Sequence, residues 1–311
     1  MLHLVRRRYL YFAISALVIV PGIVAMVVST VQYGSPVRLS IDFTSGSYVE
    51  VQFVEAVTAG AVREAFLEEG LDVASVQLTD GDRIAIVRTE VIDVATKDRV
   101  VARLVQRLGP VTERRFDSVG PSISQEVTRN ALIAVAVAAV VILGFITFAF
   151  RKVAHPFRYG LCAIAAMVHD ILVTVGLFSL AGLLWGWEAD TLFLSALLTV
   201  IGFSVQDTIV VYDRIRENVP KMRGVPFEEV VDHSLTQTLH RSLATQLNAM
   251  FVMVAILLFG GATIKQFIVV MFVGLASGTY SSIFNAVPLL VVWENREIPR
   301  FLRRLLGRPA G

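Results

Sequence analysis

Six separate stretches of this chain, at about 9–31, 128–150, 157–183, 190–212, 239–261 and 265–293, are too apolar for water and long enough to cross a bilayer. At 1.5 Å of rise per residue, about 20 apolar residues span a hydrocarbon slab roughly 30 Å thick. Inside lipid every backbone N–H and C=O must be paired within the segment, so stretches of this kind are helices. The class follows from that feature: a membrane all-α bundle of six transmembrane helices. Charge distribution agrees with it. Only 17% of the 311 residues are charged, against about 25% in soluble domains, and the deficit is concentrated in the six stretches. The first of them follows a basic start, as in a signal peptide. It is too long for one and no small-residue cleavage site follows, which predicts an uncleaved anchor helix.

Lysine and arginine collect in cytoplasmic loops, and here they alternate along the chain. Arg6, Arg7 and Arg8 precede the first span, and Arg151, Lys152 and Arg158 separate the second from the third. Arg214, Arg216, Lys221 and Arg223 follow the fourth, and Arg296, Arg300, Arg303, Arg304 and Arg308 follow the sixth. The connection around Trp185–Ala189 has none, and the one near Gly260–Gln266 has only Lys265. Both termini are therefore expected in the cytoplasm. The basic residues sit at span ends, so the net charge of +2 indicates no nucleic-acid partner; the lipid bilayer is the partner it indicates. Cys162 is the one cysteine, which excludes a disulfide framework.

Residues 32–126 have ordinary soluble composition and fall outside. Ser47–Val54 alternates as a strand and Thr58–Glu69 has helical spacing ending at Gly70. Val73–Thr79 and Arg83–Thr89 alternate across an Asp80-Gly81 hairpin signal. Ala95–Leu108 is an amphipathic helix closed by Gly109-Pro110, and Thr112–Val119 is a last strand. The order βαββαβ predicts a small α+β ferredoxin-like extracytoplasmic domain. The expected organisation is 1–31 for the N-terminal tail and first span, 32–126 for this domain, 127–293 for the remaining helices with a cytoplasmic loop at 213–237, and 294–311 for a basic cytoplasmic tail.

Ionisable residues within spans cost about 2.5–3.5 kcal/mol each on insertion scales and mark ion pathways. The fourth span places Asp207 about two turns from its cytoplasmic end, with Ser204 and Thr208 beside it. The fifth carries Gln237, Arg241, Thr245 and Asn248 at i, i+4, i+8 and i+11, a polar face that should point into the bundle. Pairing Asp207 with Arg241 suits proton transport. Burial and a neighbouring guanidinium act on a carboxyl in opposite directions, and arginine keeps its proton throughout. Moving one charge across 100 mV is worth about 2.3 kcal/mol, close to the cost of burying the carboxylate. The competing reading is an ion pair that only fixes helix packing. His169-Asp170 in the third span either extends a relay or bonds to a neighbouring helix. Asp213, with Arg214, Arg216 and Glu217, reads as a solvated helix end. Asp190 is placed to cap the fourth helix, and Gly274-x-x-x-Gly278 marks a close helix contact. No phosphate-binding loop, metal-ligand spacing or nucleophile–base pair is evident, so no enzyme activity and no cofactor are expected, with H⁺ as the coupling ion.

Four segments carry a family resemblance. They are Ile41-Asp-Phe-Thr-Ser-Gly-Ser47, Val119-Gly-Pro-Ser-Ile-Ser-Gln-Glu126, Asp207-Thr-Ile-Val-Val-Tyr-Asp-Arg-Ile-Arg-Glu-Asn218 and Ser234-Leu-Thr-Gln-Thr-Leu-His-Arg241. Together they resemble the signatures of the SecF members of the SecD/SecF family, within the RND superfamily. The resemblance implies a subunit of the bacterial cytoplasmic (inner) membrane, half of an RND-type unit completed by SecD. It implies work beside the SecYEG translocon, using the proton-motive force on translocating preprotein. It also implies that Asp207 and Arg241 are the proton-pathway residues. Three positions depart from the pattern: Ser45-Gly46 stands for paired glycines, Ser124 for a glycine and Arg241-Ser242 for Arg-Thr. Two alternatives stand beside this reading, an RND-type proton-driven exporter of lipids or drugs and a translocon scaffold that transduces nothing.

Overall fold

The protein is described here from a computed structural model covering residues 4–151, 153, 155–295 and 297. A 3-10 turn at Val5–Arg7 leads into α1 (Arg8–Tyr33). A one-turn helix α2 (Ile41–Thr44) precedes β1 (Gly46–Phe53), α3 (Ala59–Glu68), β2 (Val73–Thr79), β3 (Ile84–Thr89), α4 (Val94–Leu108) and β4 (Val111–Val119). Four long helices follow: α5 (Pro121–Ala149), α6 (Pro156–Trp185), α7 (Thr191–Asn218) and α8 (Phe227–Phe259). Then α9 (Ala262–Ser281) runs through a π-helical turn, Ser282–Ala286, into α10 (Val287–Glu294). Six helical segments, counting α9 to α10 as one, are long and apolar enough to span a membrane. They match the six expected stretches. Most of the expected basic tail, together with Lys152, lies outside the described residues.

The chain forms two compact units, residues 39–132 and residues 1–38 with 133–311, and the boundary falls within α5. In the smaller unit the strand order is β2-β3-β1-β4 with every neighbouring pair antiparallel. That is the sheet a βαββαβ chain makes when each helix carries the chain over one intervening strand. Period-2 alternation puts Val49, Val51 and Phe53 of β1 on one face, where they bury against Val62 and Phe66 of α3 and Val100 and Leu104 of α4. Both helices begin where sequence reading placed them to within a residue or so, because each has an N-cap: Thr58 accepts from Ala61 N–H and Asp93 from Thr96 N–H. The β2–β3 turn needs three left-handed residues, Asp80, Gly81 and Asp82, so β3 starts one residue later than the alternation suggested.

The short helix α2 was not foreseen. Ser40 caps it, and its end is turned by Ser45 at φ 63° and Gly46 at φ 119°. A side chain on Gly46 would meet the Thr89 carbonyl at 2.8 Å. The adjacent glycines of the resemblance are thus explained by backbone geometry, and Ser45 occupies a conformation that favours glycine.

In the helical unit two close approaches set the packing. Gly22 of α1 and Gly176 of α6 face each other backbone to backbone, a Cβ on Gly22 meeting Gly176 Cα at 3.0 Å. On α9, Gly274 admits the Val200 side chain of α7, and Gly278 lies against Ser204. The expected close contact of Gly274-x-x-x-Gly278 is therefore with α7. Phe150 stacks on Tyr159, and Tyr212 meets both rings edge-on, at the end of the bundle that carries the basic loops. Tyr212 donates to the carbonyl of Ala286 at 3.1 Å, supplying a partner within the π-turn. The same end ties the chain start to distant segments. Val5 N–H donates to Asp232 at 2.9 Å, and Arg8 pairs with Glu228 at 3.1 Å and Glu297 at 2.6 Å. By contrast α5 and α8 have long, largely uncovered apolar flanks, including Val140, Val141, Phe251 and Leu258.

Candidate functional site

Among the described residues three carboxylates are buried inside the helical unit, Asp207, Asp170 and Asp232, the last of which accepts from Val5 N–H. Asp207 on α7 is 5% exposed. Its Oδ2 accepts a hydrogen bond from the Gln246 amide of α8 at 2.8 Å. Ser242, one turn earlier on α8, lies beside the same carboxyl with its buried hydroxyl uncommitted. An amide and a hydroxyl are neutral donors. Such donors solvate a carboxylate without cancelling its charge; here the Gln246 amide does so and the Ser242 hydroxyl stands beside it.

Arg241 is not its partner. It is exposed on the opposite flank of α8 along with Gln237, Thr245 and Asn248, and among the described residues no carboxylate forms an ion pair with it. The expected Asp207–Arg241 contact within the chain is corrected accordingly. The physical reason is that α8 has two polar stripes. One is Gln237, Arg241, Thr245 and Asn248. The other is Ser234, Thr238, Ser242 and Gln246, spaced every four residues and buried against the bundle. Successive residues on a helix are turned by about 100°, so packing Ser242 inward swings Arg241 out. Thr245 turns its hydroxyl back to the Arg241 carbonyl, and Gln237 accepts from Asn218 near the end of α7 at 3.0 Å.

Ser204 and Thr208 also differ from their expected roles around Asp207. Thr208 bonds the Ser204 carbonyl along its own helix, and Ser204 donates to Asp170 of α6 at 2.5 Å. Asp170 is 1% exposed and is the hub of a second cluster. Its Oδ1 accepts from Ser277 at 2.7 Å and lies 3.0 Å from His169 Nδ1, and its Oδ2 accepts from Ser281 at 2.6 Å as well as from Ser204. Of the two readings open for His169-Asp170, bonding across to neighbouring helices is what the structure contains, with α7 and α9 both joined. Asp213 pairs with Arg216 at 2.7 Å and Arg214 with Glu217 at 2.9 Å, all about half exposed, as fits a solvated end. Asp190 caps α7 by accepting from Phe193 N–H at 2.8 Å.

Sequence reasoning missed Ser242, Gln246, Ser277 and Ser281. The signal for the first two was the i+4 spacing of the second stripe. Ser277 and Ser281 are likewise four apart and flank Gly278 on one small-residue face of α9.

Residues 100–296 match the family model for the SecD/SecF protein export membrane protein C-terminal region, and residues 33–57 match the SecD/SecF GG motif. The chain is 46% identical over 307 residues to the protein translocase subunit SecF of Anaerolinea thermophila, covering 98% of each. It is 33% identical over 300 residues to the protein translocase subunit SecDF of Bacillus subtilis, spanning 95% of this chain and 38% of that one. Among solved structures it resembles SecDF of Thermus thermophilus, described as a translocon-associated membrane protein. There the TM-score is 0.77 at 30% identity, over 93% of this chain and 38% of that one.

Proposed function

The chain belongs to the SecD/SecF family of protein export membrane proteins, and from that premise we propose that it couples the proton-motive force to preprotein export. In this reading it works in the bacterial cytoplasmic membrane with both termini in the cytoplasm, joined to a SecD-type partner beside the SecYEG translocon. The proposal names no covalent chemistry and no cofactor; the coupling ion is H⁺.

One observation carries the reading: the Asp207 carboxyl, 5% exposed inside an apolar helix, is held by the Gln246 amide and by no cation among the described residues. A buried carboxylate with neutral donors changes the charge of the bundle when it gains or loses a proton, and membrane potential acts on that charge at about 2.3 kcal/mol per 100 mV. Arg241 takes a different part from the one first expected. It stands on a polar stripe that lipid cannot satisfy, on a helix whose apolar flank is also uncovered. A second membrane half seated on that side would convert Arg241 into a buried cation facing the partner. That this chain spans only 38% of the SecDF chains it matches supports such a complement. The coupling step then runs through the interface: protonation of Asp207 alters the field in which Arg241 sits, the helices shift, and the extracytoplasmic domain moves.

Proton flux in vesicles containing the complex with its SecD-type partner tests this. Asp207→Asn is expected to abolish the flux. Unchanged flux would leave a translocon scaffold as the function.

A further inference from the structure

We propose that His169 and Asp170 form a second proton-binding centre, entered from a groove between α1, α6 and the π-turn, and that the proton arrives on His169 Nε2. The role of this centre in transport rests on the coupling reading above; its existence does not.

A carboxylate offers about four acceptor positions, and the four donors around Asp170 occupy them. Ser277 and His169 Nδ1 are at Oδ1, and Ser204 and Ser281 are at Oδ2, all within 3.0 Å. With three hydroxyls donating to the carboxyl, the acceptor position left for the imidazole makes His169 Nδ1 the donor of its pair. The second ring nitrogen, Nε2, then carries a free lone pair. It is buried and has no hydrogen-bond partner among the described residues, in a side chain only 10% exposed.

His169 borders a groove of about 400 Å³ lined also by Ser15 and Ala16 of α1, Asn285 of the π-turn and Leu289. Asn285, 8% exposed, is the second unsatisfied group there. Its Oδ1 accepts from Ser15 at 3.0 Å, while its Nδ2 has no partner. The groove is thus lined by two residues, His169 and Asn285, that each hold one closed-off polar atom without a partner among the described residues. Leaving each unpaired costs about 1–3 kcal/mol, so a small opening of the groove wall that admitted one water to both would be favoured. The walls are otherwise apolar, which confines polar contact to the positions where Ser15, His169 and Asn285 meet it. π-Turns recur at functional sites because the extra residue redirects a side chain, and Asn285 lies within one.

The step balances simply. A proton passes from water in the groove to the Nε2 lone pair, Nδ1–H stays on Asp170, and the cluster changes from one net negative charge to none. Other titratable groups near it are few. Tyr280 of α9 stacks on the imidazole at 6.3 Å between centroids and donates to the carbonyl of Tyr11 of α1. On α7, Asp207 lies three residues beyond Ser204, and the π-turn contributes none. Among the described residues no cation is paired with either group, so the imidazolium would meet Asp170.

The test is nitrogen NMR of histidine-labelled protein in its complex in bilayers, with His169→Gln assigning the signals. Nδ1 should stay protonated throughout, and Nε2 should be the ring nitrogen that gains a proton on acidification. Asp170→Asn should change that transition and leave the other histidines unmoved, which also assigns the signals if His169→Gln does not fold. Asn285→Leu should suppress the transition by removing the polar contact for water. An Nε2 that stays unprotonated on acidification, or a transition that Asp170→Asn leaves in place, overturns the centre. Proton flux separates this result from the transport reading. Loss of flux in Asp207→Asn alone speaks to coupling, whereas the Nε2 titration is read without transport.

Discussion

Gln246 donates to Asp207 across the α7–α8 contact at 2.8 Å, while Arg241, five residues earlier on α8, turns to the outside of the unit. The carboxyl at the centre of the bundle therefore depends on an amide for its solvation within this chain. Hydrogen bonds to charged groups contribute about 1.5–3 kcal/mol. Gln246→Leu should lower stability by about that amount at neutral pH if Asp207 is ionised, and most of the loss should vanish in an Asp207→Asn background. Thermal or denaturant unfolding of the four variants in detergent gives the coupling energy, and simple additivity would remove the amide from any special role.

Arg241→Ala should behave in the opposite way. The side chain is exposed in this chain, so its removal should change the stability of the isolated chain by no more than about 0.5 kcal/mol. In the complex with a SecD-type partner the same change should abolish proton flux, as Asp207→Asn does. A large stability loss without the partner would place Arg241 in an internal contact instead.

Two glycine contacts should respond differently to a methyl group. Gly274→Ala meets the side chain of Val200, and overpacking of this kind costs about 1–3 kcal/mol. Trimming Val200 to Ala should restore most of it. Gly176→Ala meets the backbone of Gly22 at 2.7 Å, where no side chain can be trimmed, so no such rescue is expected. Melting temperatures of the single and double variants decide both.

Ser45 sits at φ 63° beside Gly46, a backbone region that costs a residue with a Cβ about 1–2 kcal/mol. Ser45→Gly should therefore stabilise the small βαββαβ domain by up to about 1 kcal/mol, after the larger chain entropy that glycine loses on folding. Hydrogen exchange of the domain within the full chain would register the change as slower opening.

Burial and the nearby Glu50 carboxylate push the Tyr48 hydroxyl in that domain up to about 12, from an ordinary value of 10.0. It donates to Glu50 at 3.1 Å. A group whose folded value is raised keeps its stabilising contribution below the unfolded value and loses it as pH rises through the folded one. Tyr48 should support stability up to about pH 10 and lose that support toward pH 12. The phenolate absorbance difference between the parent and Tyr48→Phe follows the titration; a transition near pH 10 would contradict the buried hydrogen bond.

The sequence by itself determined the six spans, the βαββαβ order of the small domain, its helix ends and hairpin, the cap at Asp190 and the close contact at Gly274 and Gly278. These follow from local physics: the length a slab of lipid demands, the periods of 3.6 and 2, and the few residue types that end a helix or turn a chain. It also singled out Asp207, because a carboxylate in an apolar helix is conspicuous in any context. What the tertiary structure alone decided was the facing. Both polar stripes of α8 have helical spacing, and nothing local distinguishes the one carrying Arg241 from the one carrying Ser242 and Gln246. Only the packing of α7 against α8 and α9 made that choice. The same holds for Asp170, whose hydroxyl partners come from residues 204, 277 and 281. Hydrogen bonds between distant helices depend on how rigid cylinders are rotated in the bundle, and periodicity in one helix carries no information about the rotation of its neighbour.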